Sequence, residues 1–176
     1  MICSTFIALL DTDGDELHIP KPKTPAQALA MAKEYYEEWF PSANKRFDSA
    51  KFHMERGNLK DAAFDLHQTI ERLYHCVLLV CTFYTPHNHN IAFLRTQAER
   101  IDLRLVYPWP RDLRADRAIF EKLKVAYVKA RYSKHYKIIA EQLDWLAEHI
   151  EELGQTVQAV CSERTAALEE QARQSA

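Results

Sequence analysis

Apolar residues recur at three- and four-residue steps along most of the chain, and the clearest run is Leu59, Ala62, Leu66, Ile70, Leu73, Val77 and Val80. That spacing lines one face of a helix and predicts helix over 59–84, broken by Thr85-Pro86-His87-Asn88. Upstream, Thr24-Pro25-Ala26-Gln27 combines an N-cap, a proline at the first helical position and the glutamine of a capping box. It opens a helix expected to reach about Phe40. Pro41 predicts a fresh start, with a second helix over 42–56 closed by Gly57 in the left-handed conformation and Asn58 capping the next. Downstream, a shorter helix is expected over 91–101, followed by Val106-Tyr107-Pro108-Trp109-Pro110, where two prolines rule out regular structure. Asp112 or Asp116 then starts a helix through Ile119, Phe120, Leu123, Tyr127 and Ala130. The last helix carries Ile139, Leu143, Leu146, Ile150, Leu153, Val157 and Val160, and Gly154 weakens it without ending it.

The first twenty residues break this rhythm. Phe6-Ile7-Ala8-Leu9-Leu10 and Leu17-His18-Ile19 flank Asp13-Gly14, a dipeptide suited to a type I′ turn, so a β-hairpin is expected. The acidic cluster Asp11, Asp13, Asp15 fails as a calcium loop: Gly14 stands at the fourth position, and Pro22 occupies the twelfth, where a bidentate glutamate is required. The expected organisation is a hairpin over 1–22, an all-α, up-and-down helical bundle over 23–168, and a frayed polar tail over 169–176.

Composition narrows the function classes. At 176 residues the chain can bury one core, and a formal charge of −2 provides no global basic field, so nucleic acid must be met by a local patch. Three glycines, far apart, exclude a glycine-rich phosphate loop; side chains and helix ends must hold any nucleotide. The four cysteines form no C-x-x-C pair and read as small buried hydrophobes of a cytoplasmic protein. Val77-Leu78-Leu79-Val80-Cys81 is too short to span a bilayer, and Met1 to Leu10 lacks the marks of a signal peptide.

Three polar groups carry candidate chemistry. Arg131 and His135 stand four apart within Arg131-Tyr132-Ser133-Lys134-His135-Tyr136, so a continuous helix puts them on one face. A permanent guanidinium beside an imidazole can hold a phosphate and move a proton. On the 59–84 helix, His67, Glu71 and Tyr74 share one face, and Gln68, Arg72 and His75 another. His87-Asn88-His89-Asn90 offers two imidazoles but no third or fourth metal ligand at a useful spacing, so capping and turn roles are expected and no metal site.

The stretch from Ala62 to His75, Ala62-Ala63-Phe64-Asp65-Leu66-His67-Gln68-Thr69-Ile70-Glu71-Arg72-Leu73-Tyr74-His75, resembles the second-helix signature of the HEPN family (higher eukaryotes and prokaryotes nucleotide-binding). His89-Asn90-Ile91 is similar to that family's His-Asn-Leu. Ala126-Tyr127-Val128-Lys129-Ala130-Arg131-Tyr132, with Tyr136 further on, resembles a subgroup pattern A-Y-V-x-A-R-Y. The region from Phe6 to Pro20 looks like the last hairpin of a minimal nucleotidyltransferase, a domain often fused ahead of HEPN domains of this subgroup; that transferase's Gly-Ser turn and paired aspartates are absent. The resemblance implies a bundle that binds a nucleotide or RNA, with no cofactor and ATP or GTP as the ligand to try. It also implies a homodimer and a nucleotidyltransferase partner, and neither DNA nor membrane binding. In that picture Arg131 contacts phosphate with help from His135 or Lys134, Tyr132 and Tyr136 stack or hydrogen-bond, and His67, Glu71 and Tyr74 line the pocket. Two alternatives stay open. One is a metal-independent ribonuclease toxin using Arg131 and His135, although only three residues separate them where the family has four to six. The other is a dimerisation or substrate-positioning module with no ligand of its own.

Overall fold

The computed structural model describes residues 22–175, and the expected hairpin lies outside the described residues. The elements are helices: α1 (Pro25–Glu55), α2 (Leu59–Thr82), α3 (Ile91–Glu99), a 3-10 turn (Leu103–Val106), α4 (Arg114–Tyr132) and α5 (Ala140–Gln174). No strand occurs among the described residues. α2 is the central element. α1, α3, α4 and α5 all pack on it, and α5 also packs along α1.

The capping box forms as expected, with Gln27 N–H donating to Thr24 Oγ1 at 3.2 Å and Thr24 N–H to Gln27 Oε1 at 3.0 Å. The expected break at Pro41 does not occur; α1 runs through it. Ala32, Ala43 and Ala50 are all fully buried and lie eleven and seven residues apart, on one helical face. Packing of that stripe outweighs the single N–H that Pro41 lacks. α1 ends at Gly57 (φ +71°), where Gly57 N–H donates to Met54 O at 3.0 Å and Asn58 N–H to His53 O at 2.9 Å. This pair of bonds is a Schellman closure and turns the chain back into α2. Asn58 makes no side-chain cap, contrary to expectation. Buried Asp65 ties the two helices, accepting from Arg46 Nη1 at 3.1 Å and Ser49 Oγ at 2.5 Å.

α4 starts at Arg114 with no side-chain cap, so neither Asp112 nor Asp116 opens it; Asp116 falls in its first turn. α5 is helical to Gln174, past the point where fraying was expected, with Leu168 buried and Glu169 bonded to Lys33 at 2.6 Å. Gly154 lies inside it without interrupting it.

Candidate functional site

α4 stops at Tyr132, and Ser133 is extended. Tyr136 and Ile138 are both buried while Lys137 and Ile139 are exposed, an alternation that only extended chain delivers. Ser133 O accepts from Lys60 Nζ at 3.0 Å and from Tyr136 N–H at 3.3 Å, fixing the turn. This geometry overturns the expectation that Arg131 and His135 share a helical face. His135 sits exposed beyond the helix end, its N–H donating to Ser133 Oγ at 3.2 Å.

Arg131 instead faces α2. Its Nε–H donates to Tyr127 O at 2.9 Å, and its guanidinium carbon lies 4.7 Å from the Phe64 ring centre and 4.8 Å from that of Tyr127. Tyr132 also lies against it at 5.1 Å but is otherwise exposed. The Tyr127 ring is the hub of the site. His89, from the loop ahead of α3, stacks on it with centres 4.7 Å apart and planes at 13°, and His67 approaches it at 5.4 Å. Glu71 completes the set: it accepts from His89 Nδ1–H at 3.0 Å and from Gln68 Nε2 at 3.1 Å. Asn90 fixes the loop by accepting from the N–H groups of Ala92 and Phe93, which caps α3.

His67 is completely buried, and neither ring nitrogen has a hydrogen-bond partner among the described residues; Nδ1 lies 3.8 Å from Glu71 Oε2. Burial pushes its pKa down to about 4, and the nearby His89 and Arg131 add to the effect. It is a neutral imidazole at physiological pH. His75, one turn beyond Glu71 and paired with Thr85 Oγ1 at 2.5 Å, is likewise pushed down to about 4, chiefly by burial.

Of the residues expected at the site, His67, Glu71 and Arg131 converge, with Tyr132 at the edge. Lys134 is exposed in the turn after α4. Tyr74 does not belong: it is wholly buried, accepts from Trp109 Nε1 at 2.9 Å, and burial raises its pKa far above the ordinary phenol value. Tyr136 does not belong either, since its hydroxyl donates to Lys122 O at 3.3 Å inside the fold and burial lifts its pKa to about 12. Phe64, His89 and Tyr127 are the additions. Tyr127 is signalled in the sequence by standing four residues before Arg131, and His89 was there as a turn histidine with no visible link to Glu71. No cluster of three metal-ligating side chains occurs among the described residues.

A family model for the HEPN domain matches residues 36–163, most of the chain, so the chain belongs to the HEPN domain family. Membership supports a nucleotide-binding or ribonuclease-type helical domain, and domains of this family bind RNA or nucleotides and often dimerise. No curated protein matches the chain. Among the described residues no helix is long and apolar enough to cross a membrane.

Proposed function

We propose that this HEPN domain binds a nucleotide, free or within RNA, at the cluster that joins α2, α4 and the loop ahead of α3. The observation that carries this is the Arg131 guanidinium. It is fixed between Phe64 and Tyr127 by a backbone carbonyl and has no carboxylate partner among the described residues. Its remaining N–H groups suit a phosphate. The exposed imidazole of His89, backed by Tyr127 and held by Glu71, gives a flat surface for a base. Tyr132, whose ring centre lies 5.1 Å from the Arg131 guanidinium, stands at the rim for a further contact, and Lys134, exposed in the turn after α4, is a second cation to test. The resemblance of Phe6 to Pro20 to a transferase hairpin favours a protein that works beside a nucleotidyltransferase, and the family habit favours a homodimer.

Calorimetric titration of the full chain with AMP, ATP and GTP tests this. Saturable binding that Arg131→Ala abolishes is expected; no heat at millimolar nucleotide overturns it and leaves the positioning module. Metal-independent RNA cleavage is the second reading, favoured by one observation: the His89–Glu71 pair holds an imidazole by a carboxylate against the same ring that carries Arg131. Cleavage in chelator that survives His135→Ala and disappears in His89→Ala would support it.

A further inference from the structure

Arg117, Lys124 and Arg131 recur along α4 at seven-residue steps. Seven residues make nearly two turns, so the three cations follow one side of the helix with a drift of about 20° per step. Arg117 and Arg131 are thereby about 21 Å apart along the axis. Phe120 and Tyr127 repeat at the same interval. The two end arginines are held alike, on backbone carbonyls: Arg131 on Tyr127 O, and Arg117 Nη1 on Arg111 O and, at 3.0 Å, Asp112 O. Neither forms a salt bridge among the described residues, so each keeps donors for an anion. Lys124 between them is paired with Glu121.

α3 and α4 each pack chiefly on α2, and a concavity opens between them towards the start of α4. His67, Glu71 and Tyr74 run along α2 at i, i+4 and i+7. At one end of that row lie Tyr127 and His89. At the other, Tyr74 holds Trp109, which floors the concavity, about 360 Å3 in volume and walled by Arg95 and Thr96 of α3, Arg117 and Phe120 of α4, and Trp145 of α5. Trp145 is only half-buried and stacks on His149 at 3.9 Å. Glu99, which also borders the concavity, is already neutralised by Arg95 at 2.6 Å and by Arg111.

We propose that the Arg117–Trp145 concavity is a second nucleotide subsite, and that the ligand is a short single strand of RNA lying along α4. One nucleotide sits at Arg131 and His89, and another, a few residues along the strand, sits with its phosphate on Arg117 and its base against Trp145. Interleaved cations and aromatic rings are what such a strand requires, since rings take bases and guanidiniums take phosphates. A local stripe of this kind also suits a chain whose overall charge is slightly negative. The proposal rests on nucleotide binding at the Arg131 cluster.

The test compares AMP with oligoadenylates of about two, four and eight nucleotides on the full chain, by fluorescence anisotropy or calorimetry. The longer strands should bind about tenfold or more tighter than AMP. Arg117→Ala, and independently Arg117→Gln, should remove that gain while AMP still binds at the Arg131 cluster, and reduce the salt dependence by about one ion. Circular dichroism melts of each variant establish that it is folded. Equal affinity for AMP and the longer strands, or a length gain untouched by both variants, overturns the second subsite while nucleotide binding at Arg131 stands. Absence of binding by AMP and by every strand overturns both.

Discussion

His89 lies flat on Tyr127, ring centres 4.7 Å apart and planes 13° from parallel, while its Nδ1–H is held by Glu71 at 3.0 Å. A turn histidine that could rotate freely is thus fixed by a ring behind it and a carboxylate beside it. Its outer face stays accessible, with the side chain 62% exposed. Arg131 touches the same tyrosine ring, so one residue of α4 aligns both the cation and the planar surface.

That dependence gives a first prediction. Tyr127→Ala removes the backing of His89 and one contact of Arg131 and should weaken nucleotide binding by about 1–3 kcal/mol, the usual value of an aromatic platform. Tyr127→Phe keeps the ring and should bind nearly as the native chain does. Calorimetric titration of both variants separates the ring's contribution from that of the hydroxyl.

Stability should fall with acid in a window set by two histidines. His67 and His75 are pushed down to about 4 in the fold, against an ordinary value near 6.5. The unfolded chain therefore takes up protons first as pH falls, so the contribution of each neutral imidazole is complete above about pH 6.5 and is lost towards pH 4. The loss at pH 4 is on the order of 3 kcal/mol or less per histidine. Thermal melts should show a level Tm from pH 7.5 to about 6.5 and a falling one from there to about 4.5, with a shallower fall in His67→Gln. A flat profile across that window would contradict a buried neutral His67.

Tyr74 tests the division between site and core. Tyr74→Phe leaves Trp109 Nε1 without its acceptor in a closed interior and should lower stability by about 1–3 kcal/mol in urea unfolding. AMP affinity should not change, because the Tyr74 hydroxyl lies under Trp109 and not at Arg131.

Much of this was legible in the sequence. The apolar stripe of α2 and the Thr24–Gln27 box are set by local periodicity and local hydrogen bonds, and both appear in the fold. Membership in the HEPN family was legible too, since its motifs lie in contiguous stretches. What failed is non-local. Pro41 reads as a boundary until the alanine face on either side of it is seen to bury as one stripe. Arg131 and His135 read as one helical face until Tyr136 and Ile138 are seen drawn into the core, which stretches the chain after Ser133. Tyr74 has the same spacing from Glu71 as a site residue would, and only Trp109, thirty-five residues on, takes it out of the site. The His89–Glu71 pair likewise joins residues eighteen apart across a loop.

Gly154 stands in the interior of the 35-residue α5, where glycine costs a helix about 1 kcal/mol relative to alanine. Its backbone is not in the left-handed region, and a Cβ built there meets no atom within 4 Å. The space belongs to a cleft of about 460 Å3 between α1, α2 and α5, bordered by Phe47, Leu73 and Gln158. No turn or close approach within the chain therefore calls for glycine. Gly154→Ala should raise stability by about 0.5–1 kcal/mol, visible as a higher urea midpoint at unchanged slope. Nucleotide binding at Arg131 should be unaltered, since α5 contributes nothing to that cluster. A lower midpoint would mean that the cleft closes on Gly154 in solution, with a neighbouring side chain occupying the place of the missing Cβ.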